Sequence, residues 1–371
     1  MPYRLLQRSI PLRRPFVTSQ WTVTQRDVLY IEIADAASGL CGIGEAAPFE
    51  EFGTESLAQC GAALQSAAGA LSRVPRSIDE VRETLASIPC LPAAPCAAFA
   101  LECALLDLLA RREQISMARL FAGDAPLLER ILVNAVLGAG SAGQCAKEAL
   151  AAVNSGYTCL KMKVGRRALT DDIDAIEAVR ETVGHAVLLR LDANGAWDRD
   201  NALLALAAFE PFDIEYVEQP VPAHDIDALR EVAAHSSIPV AADEALATFE
   251  HARGLLEDRA ADVFILKPMA LGSLLAARDF ALETQAAWKD VVFTSLIDSA
   301  VARRAVAQLV ASLPACAWRH HGLATGALLA TDVHADPIEY GSLLVRDAPG
   351  LGLAMPDAAD AVSSSSSGGR Q

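Results

Sequence analysis

Cys159-Leu160-Lys161-Met162-Lys163-Val164 is followed, after a helical stretch, by Val187-Leu188-Leu189-Arg190-Leu191-Asp192. Each run is short and apolar apart from its ionisable residues, as a buried strand requires, and the residues between have helical periodicity. The alternation extends both ways, through Ile131–Val136, Ile214–Glu218, Ile238–Ala242, Val263–Lys267, Val291–Thr294 and Cys316–His320. These β runs recur at roughly 24 to 28 residues. Eight of them with helices between predict an α/β fold, a parallel (β/α)8 TIM-type barrel. A dinucleotide-binding sheet competes through Gly138-Ala139-Gly140-Ser141-Ala142-Gly143, which fits Gly-x-Gly-x-x-Gly. That reading needs an acidic residue about 20 positions on to hold a ribose, and there the chain reads Lys161-Met162-Lys163. The barrel is the better reading, and the glycines are an ordinary turn.

A chain of 371 residues accommodates a barrel of about 250 residues with a smaller companion. Residues 1–123 carry strand-like blocks at Tyr3–Ile10 and Trp21–Ile33, then helical periodicity from Ser56 to Leu120. They predict an α+β domain. Residues 124–330 hold the barrel and 331–356 a segment returning to the first domain; 357–371 is a Ser/Gly tail, expected to be disordered because it cannot bury a core.

The hydrophobic fraction, 52%, supplies a large core. No segment offers the ~18 unbroken apolar residues of a membrane span; the most apolar helix candidate, Cys96–Ala110, is interrupted by Glu102 and Asp107. A net charge of −16 repels phosphate backbones, which argues against nucleic acid and anionic membrane as partners. An anionic substrate must therefore meet local lysines or a metal. The 8 cysteines include no Cys-x-x-Cys pair and no zinc-ligand spacing, so they read as reduced core thiols of a cytoplasmic protein. Met1–Arg26 lacks acidic residues and contains Arg4, Arg8, Arg13 and Arg14, as transit peptides do, but its strand-like blocks read as folded protein.

Chemistry gathers at the C-terminal ends of the strands, the face where barrels of this type place their active sites. Successive strands end Lys161-Met162-Lys163, Asp192-Ala193-Asn194, Glu218-Gln219-Pro220, Asp243-Glu244 and Lys267-Pro268. One strand-end carboxylate is usually a helix cap. Three on neighbouring strands, Asp192, Glu218 and Asp243, would repel one another unless a cation neutralises them. An all-oxygen set favours a hard ion, Mg²⁺ first and Mn²⁺ as a substitute. Lys161 and Lys163 share a face by the two-residue strand period, and the sixth strand lies opposite the second in an eight-strand ring. Lys163 and Lys267 thus face each other across a bound carboxylate substrate. A neighbouring ammonium and a nearby cation both favour the neutral amine, the form that takes a proton, so Lys163 is the candidate base, with Lys161 supplying the field. The α-proton of a carboxylate yields to an amine only if the developing enediolate is stabilised, as a divalent cation does.

Lys161-Met162-Lys163-Val164, Leu191-Asp192-Ala193-Asn194, Val217-Glu218-Gln219-Pro220, Ala242-Asp243-Glu244 and Leu266-Lys267-Pro268, in this order, resemble the enolase superfamily, muconate-lactonizing-enzyme subgroup. The resemblance implies metal ligands Asp192, Glu218 and Asp243 and catalytic Lys163 and Lys267. It also implies Asn194, Gln219 and Glu244 as partners that hold ligands and lysines, and a capping domain closing over the barrel mouth. Gly44–Pro48 with Phe52–Leu57, Thr294–Ser299 and His321–Gly326 are similar to loops of o-succinylbenzoate synthases. Those patterns bring Phe52, Ser295, Asp298 and Gly322 to the substrate, with Glu45 and Pro48 on the same capping loop. The implied reaction is syn-dehydration of a cyclohexadiene carboxylate in menaquinone biosynthesis. Dipeptide epimerases typically carry Asp-x-Asp at the eighth strand, where this chain has Arg319-His320-His321-Gly322, which counts against that activity. N-succinylamino acid racemase, muconate-type cycloisomerase and a non-catalytic metal-binding barrel are the alternatives. His320 and His321 read as barrel-rim residues, and Arg190 as the partner of a barrel carboxylate.

Overall fold

The computed structural model describes residues 1–17, 22–138 and 140–356, with the backbone of Val362 and Ser363. β1 (Tyr3–Val17), β2 (Thr22–Ala34) and β3 (Cys41–Ala46) form an antiparallel sheet in that order. The arginine-rich start is therefore folded strand, paired with β2 from Tyr3 through Val17 with an irregularity between Pro11 and Phe16. Four helices follow: α1 (Leu57–Ala70), α2 (Ile78–Ala86), α3 (Pro95–Arg112) and α4 (Met117–Ala122). α3 is buried almost all round, which is why its face pattern is so uniformly apolar. β3 lies directly against it: a Cβ at Gly42 would sit 2.0 Å from the Ala104 carbonyl oxygen, and one at Gly44 1.9 Å from that of Ala100. Only glycine permits that approach.

After β4 (Arg130–Leu132) the chain enters the βα alternation: β5 (Ala135–Leu137), α5 (Ala142–Asn154), β6 (Cys159–Lys163), α6 (Leu169–Val183), β7 (Leu188–Asp192) and α7 (Arg199–Phe209). It continues with β8 (Ile214–Glu218), α8 (Ile226–His235), β9 (Val240–Ala242), α9 (Phe249–Glu257), β10 (Val263–Leu266), α10 (Pro268–Leu271), α11 (Leu274–Ala286), β11 (Asp290–Phe293) and α12 (Ala300–Ala311). β5 to β11 make one seven-stranded parallel sheet in sequential order. The (β/α) architecture is thus present, with three departures from the strands expected.

The run Ile131–Val136 divides, because β4 pairs with β14 (Ser342–Leu344) in a separate small sheet with β13 (Ile338–Glu339). The run Ile238–Ala242 keeps only its last residues; Pro239 has no N–H to donate, although its carbonyl accepts from Val217. Cys316–His320 forms no strand at all. Pro314 opens a 3₁₀ turn through Cys316, and among the described residues the edges of the sheet are joined by single parallel bridges, Val133 with His321 and Thr294 with Gly322. The sheet is consequently not closed by an eighth ladder.

The interior near the strand starts is filled by Arg190, 0% exposed. Its Nε donates to Glu215 Oε2 at 2.6 Å, its Nη1 to the His320 carbonyl at 2.7 Å, and its guanidinium lies 4.7 Å from the centre of the Tyr216 ring. Glu215 also accepts from Arg319 Nη1 at 2.7 Å. His321 Nδ1 accepts the Phe293 N–H at 3.0 Å, which places the ring proton on Nε2, beside the Cys316 carbonyl. Burial pushes His321 down to about 3 and His320 to about 4. Both are neutral wall residues.

Residues from Ala330 onward hydrogen-bond with the first domain. Ala330 N–H donates to the Pro11 carbonyl at 2.8 Å, Leu351 N–H to Asp107 Oδ1 at 2.6 Å, and Arg111 to the Leu353 carbonyl. β12 (Thr331–Asp332) pairs with β15 (Val362–Ser363); the rest of the Ser/Gly tail expected from 357 lies outside the described residues. All eight cysteines are free thiols. Among the described residues no helix is long and apolar enough to cross a membrane. At the glycine-rich turn, Gly138 N–H donates to Glu148 Oε2 at 2.7 Å, so a carboxylate already takes the donor that a phosphate would need.

Candidate active site

Register places the chemistry. Lys163 stands opposite Asp192 across β6 and β7, Asp192 opposite Glu218 across β7 and β8, and Glu218 opposite Ala241, two residues before Asp243. Lys163 Nζ donates to Asp192 Oδ2 at 2.6 Å and to Asn194 Oδ1 at 2.7 Å. Lys161 Nζ bridges Glu218 Oε1 at 2.6 Å and Asp192 Oδ2 at 2.8 Å. Lys267, just past β10, pairs with Asp243. Lys163 and Lys267 both border a cavity of about 80 Å³, together with Lys161, Asp192, Asn194 and Asp243. β7, β8 and β9 separate their strands, so the two ammonium groups approach from different walls.

The carboxylates are buried and unequal. Burial, and then the charge of Asp192, push Glu218 up to about 8. Burial also works against Asp192, but Lys161 and Lys163 outweigh it and hold that carboxyl below the usual range. Burial likewise opposes the Lys161 ammonium, and Asp192 and Glu218 overcome it. Four carboxyl groups, Asp192, Glu218, Asp243 and Glu244, stand with three lysines, and Glu244 Oε2 is buried with no hydrogen-bond partner.

An all-carboxylate set from consecutive strand ends fits a hard divalent cation. The expected convergence of the three acids is not what their side chains show. Among the described residues no group of three or more His, Cys, Asp or Glu is arranged to hold a metal ion. Lys161 gathers Asp192 and Glu218 while Lys267 takes Asp243, because ammoniums on the same inner face supply the counter-charge.

Asn194 and Gln219 end their strands at φ +46° and +39°, a region non-glycine residues enter mainly where surroundings impose it. Asn194 links Lys163 to Glu244, its Nδ2 donating to Oε1 at 2.8 Å. The Gln219 side chain hydrogen-bonds to backbone groups. Its Oε1 accepts the N–H groups of Asp243 and Ala245 at 2.9 and 3.1 Å, and Nε2 donates to the Val221 carbonyl at 2.9 Å. It therefore holds the backbone on which Asp243 sits.

The first domain roofs the cavity with Phe16, Phe49 and Phe52. Lys267 Nζ lies 4.4 Å from the centre of the Phe52 ring, and Lys163 Nζ 5.7 Å from that of Phe16. No motif marks Phe16; its only signal is the Pro15 that precedes it near the β1 irregularity. Cation–π contact contributes from about 0.5 kcal/mol at exposed sites to about 2 kcal/mol when desolvated. Phe52→Ala is thus expected to raise the substrate KM by about 3- to 30-fold while leaving metal affinity alone, measured by steady-state kinetics and calorimetry; an unchanged KM would remove the lid from substrate selection.

Ser295 borders the same cavity. Gly322 borders an adjoining one of about 450 Å³ that runs along the seam of the sheet to Arg13 and Arg14 and shares Lys161, Thr294 and Thr325 with the first. Asn134 Nδ2, buried and without a hydrogen-bond partner, borders that second space. Asp298 and Glu45, expected at the substrate, line neither cavity. Asp298 turns back to accept the Leu296 N–H at 3.0 Å, and Glu45 is buried against Ser299. Pro48 is buried as well.

Residues 3–122 match the family described as mandelate racemase / muconate lactonizing enzyme, N-terminal domain, and residues 144–359 the one described as enolase C-terminal domain-like. The chain is 36% identical over 226 residues to o-succinylbenzoate synthase of Thermobifida fusca, covering 60% of this chain and 68% of that protein. It is 28% identical over 299 residues to N-succinyl-L-Arg/Lys racemase of Bacillus cereus, covering 80% of this chain and 79% of that one. Among solved structures, dipeptide epimerase of Enterococcus faecalis V583, complexed with Mg and the dipeptide L-Leu-L-Tyr, superposes with TM-score 0.86 at 26% identity, covering 94% of this chain and 98% of that chain.

Proposed function

This chain belongs to the mandelate racemase / muconate lactonizing enzyme family of the enolase superfamily, and we propose that it is a Mg²⁺-dependent o-succinylbenzoate synthase acting in menaquinone biosynthesis. The substrate is 2-succinyl-6-hydroxy-2,4-cyclohexadiene-1-carboxylate, and the reaction a syn-dehydration by a carbon–oxygen lyase. The observation that carries the reading is the pair Lys163 and Lys267 on different walls of one cavity roofed by three aromatic rings. A flat six-membered ring bearing a carboxylate suits that space, and the adjoining cavity toward Arg13 and Arg14 gives room to its acyl arm. Likeness to the Thermobifida synthase supports dehydration.

Asp192, Glu218 and Asp243 would hold the metal, Mg²⁺ or Mn²⁺. When bound, it neutralises the substrate carboxylate and lowers the cost of removing the adjacent proton. Lys163 takes that proton, oriented by Asn194. As the ammonium, it then delivers the proton to the departing hydroxide on the same face. One C–H and one C–O bond break, water leaves, and the ring becomes aromatic. Lys267 stays protonated, a fixed charge beside the developing anion. Gln219 keeps the Asp243 backbone in place.

An N-succinylamino acid racemase is the second reading, favoured by the Bacillus cereus relative and by the presence of both lysines, which could exchange protons on opposite faces. The deciding experiment offers purified Mg²⁺ enzyme the cyclohexadiene acid and a panel of N-succinylamino acids. A kcat/KM for dehydration at least about 10-fold above that for racemisation, equivalent to 1.4 kcal/mol, is expected. The opposite ratio makes the protein a racemase.

A further inference from the structure

Two barrel helices begin on carboxylates supplied by the first domain. Glu102 of α3 accepts the Ser273 hydroxyl at 2.7 Å, the Leu275 N–H at 3.2 Å and the Leu274 N–H, at the start of α11. Glu45, near the end of β3, does the same for α12. Its Oε1 accepts the Ser299 N–H at 2.6 Å, and its Oε2 accepts the Ser299 hydroxyl at 2.6 Å and the Ala302 N–H at 2.9 Å. The first N–H groups of a helix have no partner within it, and its positive end favours a carboxylate. The two helices capped in this way follow β10, which leads to Lys267, and the loop that carries Ser295.

Glu45 cannot easily shift. Gly42 and Gly44, of the opposite parity on β3, lie directly on the α3 backbone, so the strand has no room to slide. Strand alternation then sends Glu45 out of the other face. Tyr30, its cross-strand neighbour on β2, donates its hydroxyl to Ser299 Oγ at 2.8 Å and completes the junction.

What the junction holds is a strained loop. Ile297 has φ +59°, a conformation that β-branched residues avoid. Its ties are Leu296 N–H to Asp298 Oδ1 at 3.0 Å, Ile297 N–H to Ser295 Oγ at 3.3 Å and Arg303 Nη1 to the Asp298 carbonyl at 2.6 Å, with Ser295 also bonded through its N–H to the Gly322 carbonyl at 3.2 Å and through its hydroxyl to Thr325. Ser295, Leu296 and Ile297 all border the cavity between the lysines. A strained conformation persists only where its surroundings over-determine it, and Glu45 anchors the next residue after that loop's turn.

We propose that Glu45 is a positioning residue: capping α12 from the opposite domain, it holds the Ser295–Ile297 loop in its substrate-facing conformation and so couples the seating of the capping domain to substrate affinity. The inference rests on the reading that the lysine-lined cavity is the active site. It gives Glu45 no contact with substrate, metal or either lysine.

The test uses the Mg²⁺ enzyme carrying Glu45→Gln or Ser299→Ala. The first keeps the side-chain length but replaces one acceptor with a donor facing N–H groups. The second removes the Ser299 hydroxyl, with its bonds to Glu45 and from Tyr30, and leaves the charge, so it serves if Glu45→Gln fails to fold. A hydrogen bond to a buried charge is large enough for about a 10-fold effect. Glu45→Gln is expected to raise the substrate KM about 10-fold with kcat within about 3-fold of wild type, and to accelerate amide hydrogen exchange at Leu296–Ala302 about 10-fold. Ser299→Ala should move both in the same direction by less, and Mg²⁺ affinity should hold in each. Wild-type KM and wild-type exchange in both variants would overturn the proposal, as would a fall in kcat at constant KM. If the wild-type enzyme converts neither the cyclohexadiene acid nor N-succinylamino acids, the functional reading fails; the exchange rates at Leu296–Ala302 then still decide for or against Glu45.

Discussion

Lys163→Ala is expected to lose dehydration and exchange of the substrate α-hydrogen with solvent deuterium together, by at least about 10³-fold, the usual contribution of a positioned general base being 10²–10⁴. The two losses coincide because both begin with the same proton transfer. Lys163 is the lysine held by an amide whose own orientation is set: Asn194 Oδ1 accepts from Nζ while its Nδ2 donates to Glu244. Lys267 is differently placed, paired with Asp243 and seated under the face of Phe52, as suits a fixed charge. Lys267→Arg retains the charge with a larger planar head, so it should keep measurable dehydration while abolishing any racemisation, which needs a second proton carrier. Deuterium incorporation followed by NMR separates the cases. Exchange that persists in Lys163→Ala and disappears in Lys267→Ala would put the base on the other strand.

This assignment was open to sequence reading because it depends on two local regularities, the two-residue parity within a strand and the order of strands in a sequentially wound parallel sheet. Lys161, Lys163, Asp192, Glu218, Asp243 and Lys267 all sit at strand ends that the alternation of β and α runs locates. Where side-chain volume and long-range contact decide instead, the pattern is silent. Cys316–His320 has the composition of a strand, yet Pro314 starts a turn and the His321 ring occupies the Phe293 N–H, so the last wall reduces to bridges. Glu45 lies in a motif that points toward substrate, but its partner Ser299 is 254 residues away, and no local pattern reveals that a helix in the other domain needs a cap. Phe16 reaches the cavity from the stretch of β1 just past its irregularity, where a two-residue pattern cannot be followed. The lysine–carboxylate pairs were similarly out of reach: sequence shows that three acids share a mouth with three lysines, not which of them meet.

Those pairs shape the expectation for the metal. Removal of divalent cations by exhaustive chelation should lower turnover by at least about 10³-fold, since Lewis-acid stabilisation contributes several kcal/mol, and Mg²⁺ should restore it, with Mn²⁺ as a partial substitute. A readout independent of turnover is Mg²⁺ binding by calorimetry in the absence of substrate. Glu218→Gln keeps the size of the side chain and leaves Asp192 to hold Lys161 and Lys163. It removes one anionic oxygen donor, and should weaken Mg²⁺ at least about 10-fold, as one lost charge-assisted contact can. Asp192→Asn is less informative, because Asp192 is also the partner of two lysines and its loss would change metal, base and field at once. Full turnover in protein shown by elemental analysis to be metal-free would sink the metal assignment. Unchanged Mg²⁺ affinity in Glu218→Gln would sink the ligand set alone and leave the two lysines standing.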